Sequence, residues 1–287
     1  MIPRVAMAAA RLAIVLCSAL PVAGPGLAAA QTKLDGVHAE LDAAYTATLL
    51  GLPIGHISWT VELRSDRFSA AANGALSGLM RIFSDGHGDV AAHGTLSEGR
   101  PVASNFVLRL IAGKWSDTVR ILFRGDKAQE FVAAKPKPDP NQVPLTEAHR
   151  VGVVDPMTAL LVHVPGTGDT AVPAACDRTI AIFDGHTRYN LRLAFKRREK
   201  VKTEIGYQGP AVVCSVKFLP VAGYDPKHFL ITYLASRRDM EVWLAPFAGS
   251  RLMVPYRLSV PTPLGLGILQ ATKFVARSAG PSSAKFN

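Results

Sequence analysis

Between residues 54 and 64 the chain reads IGHISWTVELR, and this alternation restricts the fold more than any other feature of the sequence. Ile57, Trp59, Val61 and Leu63 fall on one side of an extended backbone, and His56, Ser58, Thr60 and Glu62 on the other. A period of two with one apolar face calls for a strand half-buried in a sheet. ELDAAYTATLLG precedes this segment across the turn LPIG, and DRFSAAANGAL follows as a third strand. Residues 88–125 read as three more strands joined at SEGR and AGKWSD, with Val119, Ile121 and Phe123 opposite Arg120, Leu122 and Arg124. KAQEFVAA adds a short strand. The proline-rich stretch at 135–150 reads as a long exposed loop and not a domain boundary, because strands of the same kind resume beyond it.

Those later strands are CDRTIAIFDG, TRYNLRLAFKR, KVKTEIGYQG, AVVCSVKFLPVAGY, MEVWLAP, LMVPYRLSVPTP and LGILQATKFVA. Helical signals are few. DPMTALLVHV predicts a helix capped by Asp155, with Pro156 in its first turn and an apolar stripe of Met157, Leu160, Leu161 and Val164. DPKHFLITYLA repeats the Asp-Pro opening, and SGLMRIFS reads as a short helix or loop. About fourteen short strands with two or three short helices define a mainly β, antiparallel domain, a sandwich or a barrel. No βαβ alternation occurs, which disfavours Rossmann and TIM folds.

The N-terminus predicts a signal peptide over residues 1–30. Arg4 and Arg11 precede and flank an apolar run from Leu12 to Leu20 that is too short to span a bilayer; Pro21, Gly24, Pro25 and Gly26 break it, and Ala28 and Ala30 suit cleavage after Ala30. The expected product is a periplasmic protein with one β-rich domain over 31–278 and a disordered tail at 279–287. Loss of Arg4 and Arg11, with no acid, takes the formal charge from +10 to +8. That balance favours anionic partners, including peripheral contact with an anionic membrane surface, while export argues against nucleic acid. The basic run KRREKVK reads as a solvated strand face. Cys17 leaves with the signal. Cys176 and Cys214 remain in an oxidising compartment, where an isolated pair reads as a disulfide; two buried free thiols are the alternative.

Two groups of residues raise the question of chemistry. Asp184, Gly185 and His186 lie between two strand patterns, and Asp-Gly is a strong hairpin signal, so a turn accounts for the triplet. Asp85, His87, Asp89 and His93 could offer oxygen and nitrogen ligands to a divalent ion, yet His87, Asp89 and His93 share one face of a strand, where a solvated polar face accounts for them, and no established ligand spacing is present. No GxSxG elbow, P-loop or GxGxxG occurs, so no catalytic residue and no cofactor is assigned. Tyr45, Trp59, Tyr207, Trp243 and Tyr256 are aromatics on strands, which more often fill a core than line a cavity.

Six blocks in fixed order, YTATLLGLPIGHISWTVEL, GTLSEGRPVASNF, VDPMTALL, CDRTIAIFDGHTRYNL, YQGPAVVCSVKFLPVAGY and VWLAP…LMVPYRLSVPTPLG, resemble the bacterial exported proteins grouped as domain of unknown function 3108, over roughly residues 40–276. The cysteine pair is similar to the family's two matched cysteines. Where that family commonly carries Arg, this chain has His186, which supports the hairpin reading over a catalytic one. The resemblance brings no catalytic residues. It implies a single strongly curved antiparallel sheet, a β-roll or open barrel similar to periplasmic lipoprotein carriers. The expected function is non-enzymatic: a cell-envelope protein binding a lipid-like ligand or an envelope protein on its concave face, plugged by the 155–164 helix. The alternatives are a metal-dependent hydrolase using Asp85, His87, Asp89 and His93, and a structural partner in an envelope complex.

Overall fold

The computed structural model describes residues 38–78, 85–132 and 140–279. The predicted cleavage site after Ala30, positions 79–84 of the SGLMRIFS segment, the start of the proline-rich connection and the tail beyond 279 lie outside the described residues.

The first seven strands form a continuous meander: β1 (His38–Leu49), β2 (Leu52–Arg64), β3 (Arg67–Leu76), β4 (His87–Ser97), β5 (Arg100–Ala112), β6 (Trp115–Arg124) and β7 (Lys127–Val132). The second half contributes β8 (Val162–His163), β9 (Arg178–Phe183), β10 (Arg188–Lys202), β11 (Ile205–Gly206), β12 (Gln208–Ala222), β13 (Met240–Pro246), β14 (Leu252–Thr262) and β15 (Gly265–Ala279), with one helix, α1 (Phe229–Ser236). All belong to one sheet in the order β7-β6-β5-β4-β3-β2-β1-β15-β14-β13-β12-β10-β9, with β8 paired to β14 and β11 to β15. Apart from the short parallel β11–β15 pair, the named strand pairs are antiparallel. The mainly β expectation holds, and the domain is one antiparallel sheet nearly closed as a barrel.

Closure is made by two residues between the edge strands. Val153 donates its N–H to the Asp126 carbonyl at the β6–β7 turn (2.9 Å), while Val154 donates to Ala181 (2.9 Å) and accepts from the Phe183 N–H (3.0 Å) on β9. Phe131 of β7 meets Phe183 edge-on, with ring centroids 5.4 Å apart. The stitch occupies edge groups that would otherwise be unpaired, the usual liability of an open sheet.

The predicted helix over 155–164 is absent. A 3-10 turn at Thr158–Leu160 takes its place, followed by β8, whose Val162 and His163 pair with Met253 and Leu252. The cause is local. Asp155 is fully buried; its Oδ1 accepts the N–H groups of Met157 (2.9 Å) and Thr158 (2.8 Å), and its Oδ2 accepts the Thr158 hydroxyl (2.6 Å). Leu161 then turns out of the helical region at φ −93°, ψ 85°, and the chain is extended before Pro165. The plug survives without the helix: Met157 and Leu161 are buried in the main core. The helix predicted from DPKHFLITYLA forms as α1. TRYNLRLAFKR and the first residues of KVKTEIGYQG merge into one fifteen-residue strand, β10.

Cys176, at the end of a 3-10 turn at Pro173–Ala175, is bonded to Cys214 of β12 with 5.4 Å between Cα atoms. Both cysteines are fully buried, in a second apolar cluster with Val162, Val164, Leu193 and Val212. The bridge therefore fastens the segment that leads out of the barrel plug onto the sheet.

Candidate functional site

Residues paired across strands share a face, so the register of β2 to β6 sorts the core-facing side chains into rows. One row runs Val61–Ala70–Ala92–Phe106–Ile121, and every member is at most 1% exposed. Two residues along β2, the next row runs Trp59–Ala72–Val90–Leu108–Val119, with its three middle members only partly buried. The third row runs Ile57–Gly74–Gly88–Leu110–Asp117. It contains two glycines opposite one another and no fully buried side chain.

Along this row the described residues enclose a trough of ≈ 420 Å³. Its floor is Ile57, Gly74, Gly88, Leu108 and Leu110, and Trp115 stands at its β6 border, 56% exposed. The walls are overwhelmingly apolar. Neighbouring side chains lean over the glycines: a Cβ on Gly88 would lie 2.6 Å from Leu110 Cδ2, and one on Gly74 3.1 Å from Ile57 Cγ1. Isolated glycines inside strand patterns, NGAL and GHGD, were the one sequence signal of close approach here. What the pattern hides is that they face each other.

The third row ends on a polar pair. Asp117 Oδ2 lies 2.9 Å from His186 Nε2, with the two side chains 13% and 29% exposed, and Asp117 Oδ1 is buried without a hydrogen-bond partner. His186 is placed by the Asp184–Thr187 turn between β9 and β10. Asp184 Oδ1 accepts the N–H groups of His186 (2.9 Å) and Thr187 (2.7 Å), Oδ2 accepts the Thr187 hydroxyl (2.7 Å), and Gly185 takes φ +97°. This repeats the Asp155–Thr158 arrangement: in both, an Asp-x-x-Thr carboxylate serves the two following N–H groups and the hydroxyl. The hairpin reading of Asp184–His186 is thus realised as a four-residue turn, and Asp117, 69 positions away, is a partner that local sequence does not reveal.

Charge near this turn is held in low-dielectric surroundings. Burial pushes the Asp155 carboxyl up, against the hydrogen bonds from Thr158 and Met157 that hold it down. Burial first, and then the charges of Asp184 and Asp155, push the Tyr189 hydroxyl well above its ordinary value.

Asp85, His87, Asp89 and His93 do not come together. His87, Asp89 and His93 follow one another along the face of β4 opposite the core, paired with Ala75, Asn73 and Ser69 of β3, and the strand rise separates its two histidines by about 20 Å. His87 Nδ1 is 3.0 Å from the Asp85 carbonyl. Among the described residues no group of three or more His, Cys, Asp or Glu is arranged to hold a metal. Tyr45, Trp59 and Tyr256 are buried in the core, with Tyr207 and Trp243 packed against it; burial raises the Tyr45 hydroxyl, which donates to the Pro255 carbonyl at 2.7 Å.

The family model described as "Protein of unknown function (DUF3108)" matches residues 44–272. No curated protein matches the chain. Among solved structures, it is similar to the crystal structure of a β-barrel-like protein of domain of unknown function DUF1849 from Brucella abortus, at 8% identity and TM-score 0.46, over 83% of this chain and 97% of that one.

Proposed function

The chain belongs to the DUF3108 family, and from that premise we propose that it is a non-enzymatic binding protein of the periplasmic cell envelope, whose trough receives the apolar chain of a lipid-like ligand. One observation carries this reading: the face that is packed solid at Val61–Ile121 continues into a row floored by glycine, where the described residues leave an apolar trough. A volume of ≈ 420 Å³ lies in the ordinary range for small-molecule sites, about 300–1,000 Å³. An apolar concavity open to water is costly unless a guest or partner covers it. Ile57, Leu108 and Leu110 would contact the methylenes.

A displacement titration with a fluorescent fatty acid in vesicle-free buffer tests this. The parent chain binds the probe with saturation. Ala72→Phe, which projects a ring into the trough from the second row, lowers the affinity about tenfold or more while the fold is retained, as read by far-UV circular dichroism. Equal binding by parent and variant, or no saturable binding by either, overturns the reading.

A further inference from the structure

Seven of the twelve large hydrophobic side chains exposed among the described residues gather at one end of the barrel. This is the end where β1 turns into β2, β5 into β6 and β14 into β15. Leu50 (68% exposed) and Leu52 occupy the first of these turns, and Leu264 (73% exposed) and Leu266 the third. The two turns are joined, the Leu50 N–H donating to the Leu266 carbonyl at 3.1 Å. Phe229 and Leu230 open α1, which is tied to the same turn by the Tyr233 hydroxyl on the Thr262 carbonyl (3.1 Å). Trp115 follows the β5–β6 turn at the border of the trough.

Leu50 breaks a local rule. It has φ 53° and Gly51 has φ 80°, a two-residue hairpin turn in which both positions need positive φ and where Asn or Asp ordinarily precedes the glycine. At the opposite end of the barrel, the β2–β3 and β4–β5 turns put Ser65 (φ 45°) and Glu98 (φ 52°) at the equivalent place. A leucine there is strained in its backbone and exposed in its side chain, and neither helps a protein surrounded only by water. Residues 49–54 and 262–268 contain no charged side chain, whereas the exposed cations Lys114, Lys227 and Arg238 stand beside these turns and, with Asp225 and Asp239, at the ends of α1, on a chain of formal charge +8 without residues 1–30.

We propose that this rim docks on an anionic lipid bilayer: Leu50 and Leu264 enter the acyl region, Trp115 lies at the interface, and Lys114 and Lys227 face the headgroups. The proposal deepens the trough reading and rests on it for its purpose, because the trough opens at the same end, so an apolar ligand passes between bilayer and protein without crossing water. Leu50 and Leu264, which carry it, lie outside the trough's lining, and Trp115 borders both.

The test is flotation of the chain from residue 31 onward with phosphatidylethanolamine vesicles containing phosphatidylglycerol, against phosphatidylcholine alone. The parent floats with the anionic vesicles, and doxyl-labelled lipid quenches a fluorescence component that Trp115→Phe removes. Leu50→Asn with Leu264→Asp binds the anionic vesicles about tenfold more weakly or worse. Asn suits the positive φ of the turn, so Leu50→Asn alone keeps or raises the thermal midpoint, which separates lost docking from lost folding. Unchanged flotation of the double variant with Trp115 unquenched overturns the proposal. So does a parent that is dimeric without vesicles and becomes monomeric in the double variant, which would assign the rim to a second copy. Fatty-acid binding in vesicle-free buffer keeps the two readings apart: the rim variant retains it if the trough reading holds, and if the parent floats but binds no fatty acid, the trough reading alone falls.

Discussion

Two rows of side chains on the same five strands meet opposite fates. Val61–Ala70–Ala92–Phe106–Ile121 is sealed, and Ile57–Gly74–Gly88–Leu110–Asp117, four residues further along β2, lines open space. Backbone pairing is the same in both, since a ladder of N–H and C=O groups takes no account of side-chain volume. The difference lies in what the register brings together. In the sealed row, small Ala70 and Ala92 are followed by Phe106, in a core that also takes in the plug residues Met157 and Leu161. In the open row, glycine meets glycine, Leu110 and Ile57 lean over them, and the described residues leave a trough alongside. Packing therefore concentrates at one end of these strands, and the proposed binding lies at the other.

That contrast can be broken by truncation. Phe106→Ala removes a fully buried ring and should cost about 3–5 kcal/mol in urea denaturation. Leu110→Ala, the same kind of change on the same strand in the open row, should cost about 1 kcal/mol or less and instead weaken fatty-acid binding. Equal losses at the two positions would mean that the trough is packed in solution.

The second half of the sheet sharpens the comparison, because there the packing is locked covalently. The Cys176–Cys214 bond closes a separation of 38 residues, and replacing both cysteines by serine should lower stability by about 4 kcal/mol on the chain-entropy account. Fatty-acid affinity of the folded fraction should stay at the parent value, since the bridge lies in a different cluster from the trough. A double variant that melts with the parent under oxidising conditions would contradict the bond.

The smallest effect is electrostatic. Glu241 on β13 accepts hydrogen bonds from Arg197 (3.0 Å), Lys196 (2.5 Å) and the Trp243 indole (3.1 Å), chiefly the Arg197 pairing holding its carboxyl down at about 2. Its value in the folded protein lies below the ordinary 4.5, so the stabilisation is present above that pH and is lost as pH falls toward about 2. Glu241→Gln should then be less stable than the parent at neutral pH, by no more than about 1 kcal/mol, and equal to it near pH 2. A gap that persists in acid would place the effect in packing.

The strands were legible because period two survives in each segment by itself: Ile57, Trp59, Val61 and Leu63 announce their face without reference to any partner. The 155–164 segment misled for a local reason. Its apolar spacing is helical, but the Asp155 carboxylate serves two N–H groups and a hydroxyl in a tighter turn, and β8 takes Val162 and His163. The trough and the Asp117–His186 pair were hidden for a different reason. Gly74 is unremarked until it faces Gly88, and Asp117 until a turn 69 residues later brings His186 to it. Sites made by register between strands have no local signature. The KRREKVK stretch, read as a solvated strand face, lies on β10, where Arg197 also pairs with Glu199 (2.7 Å) as well as Glu241.

The account stands most directly on where an acyl chain lies against this sheet. With methyl-labelled protein and a doxyl-labelled fatty acid, it predicts paramagnetic broadening of the Ile57, Val90, Leu108 and Leu110 methyls, with those of Val61 and Ile121 untouched. Broadening that spares the open row, or that falls evenly over both rows, would contradict it.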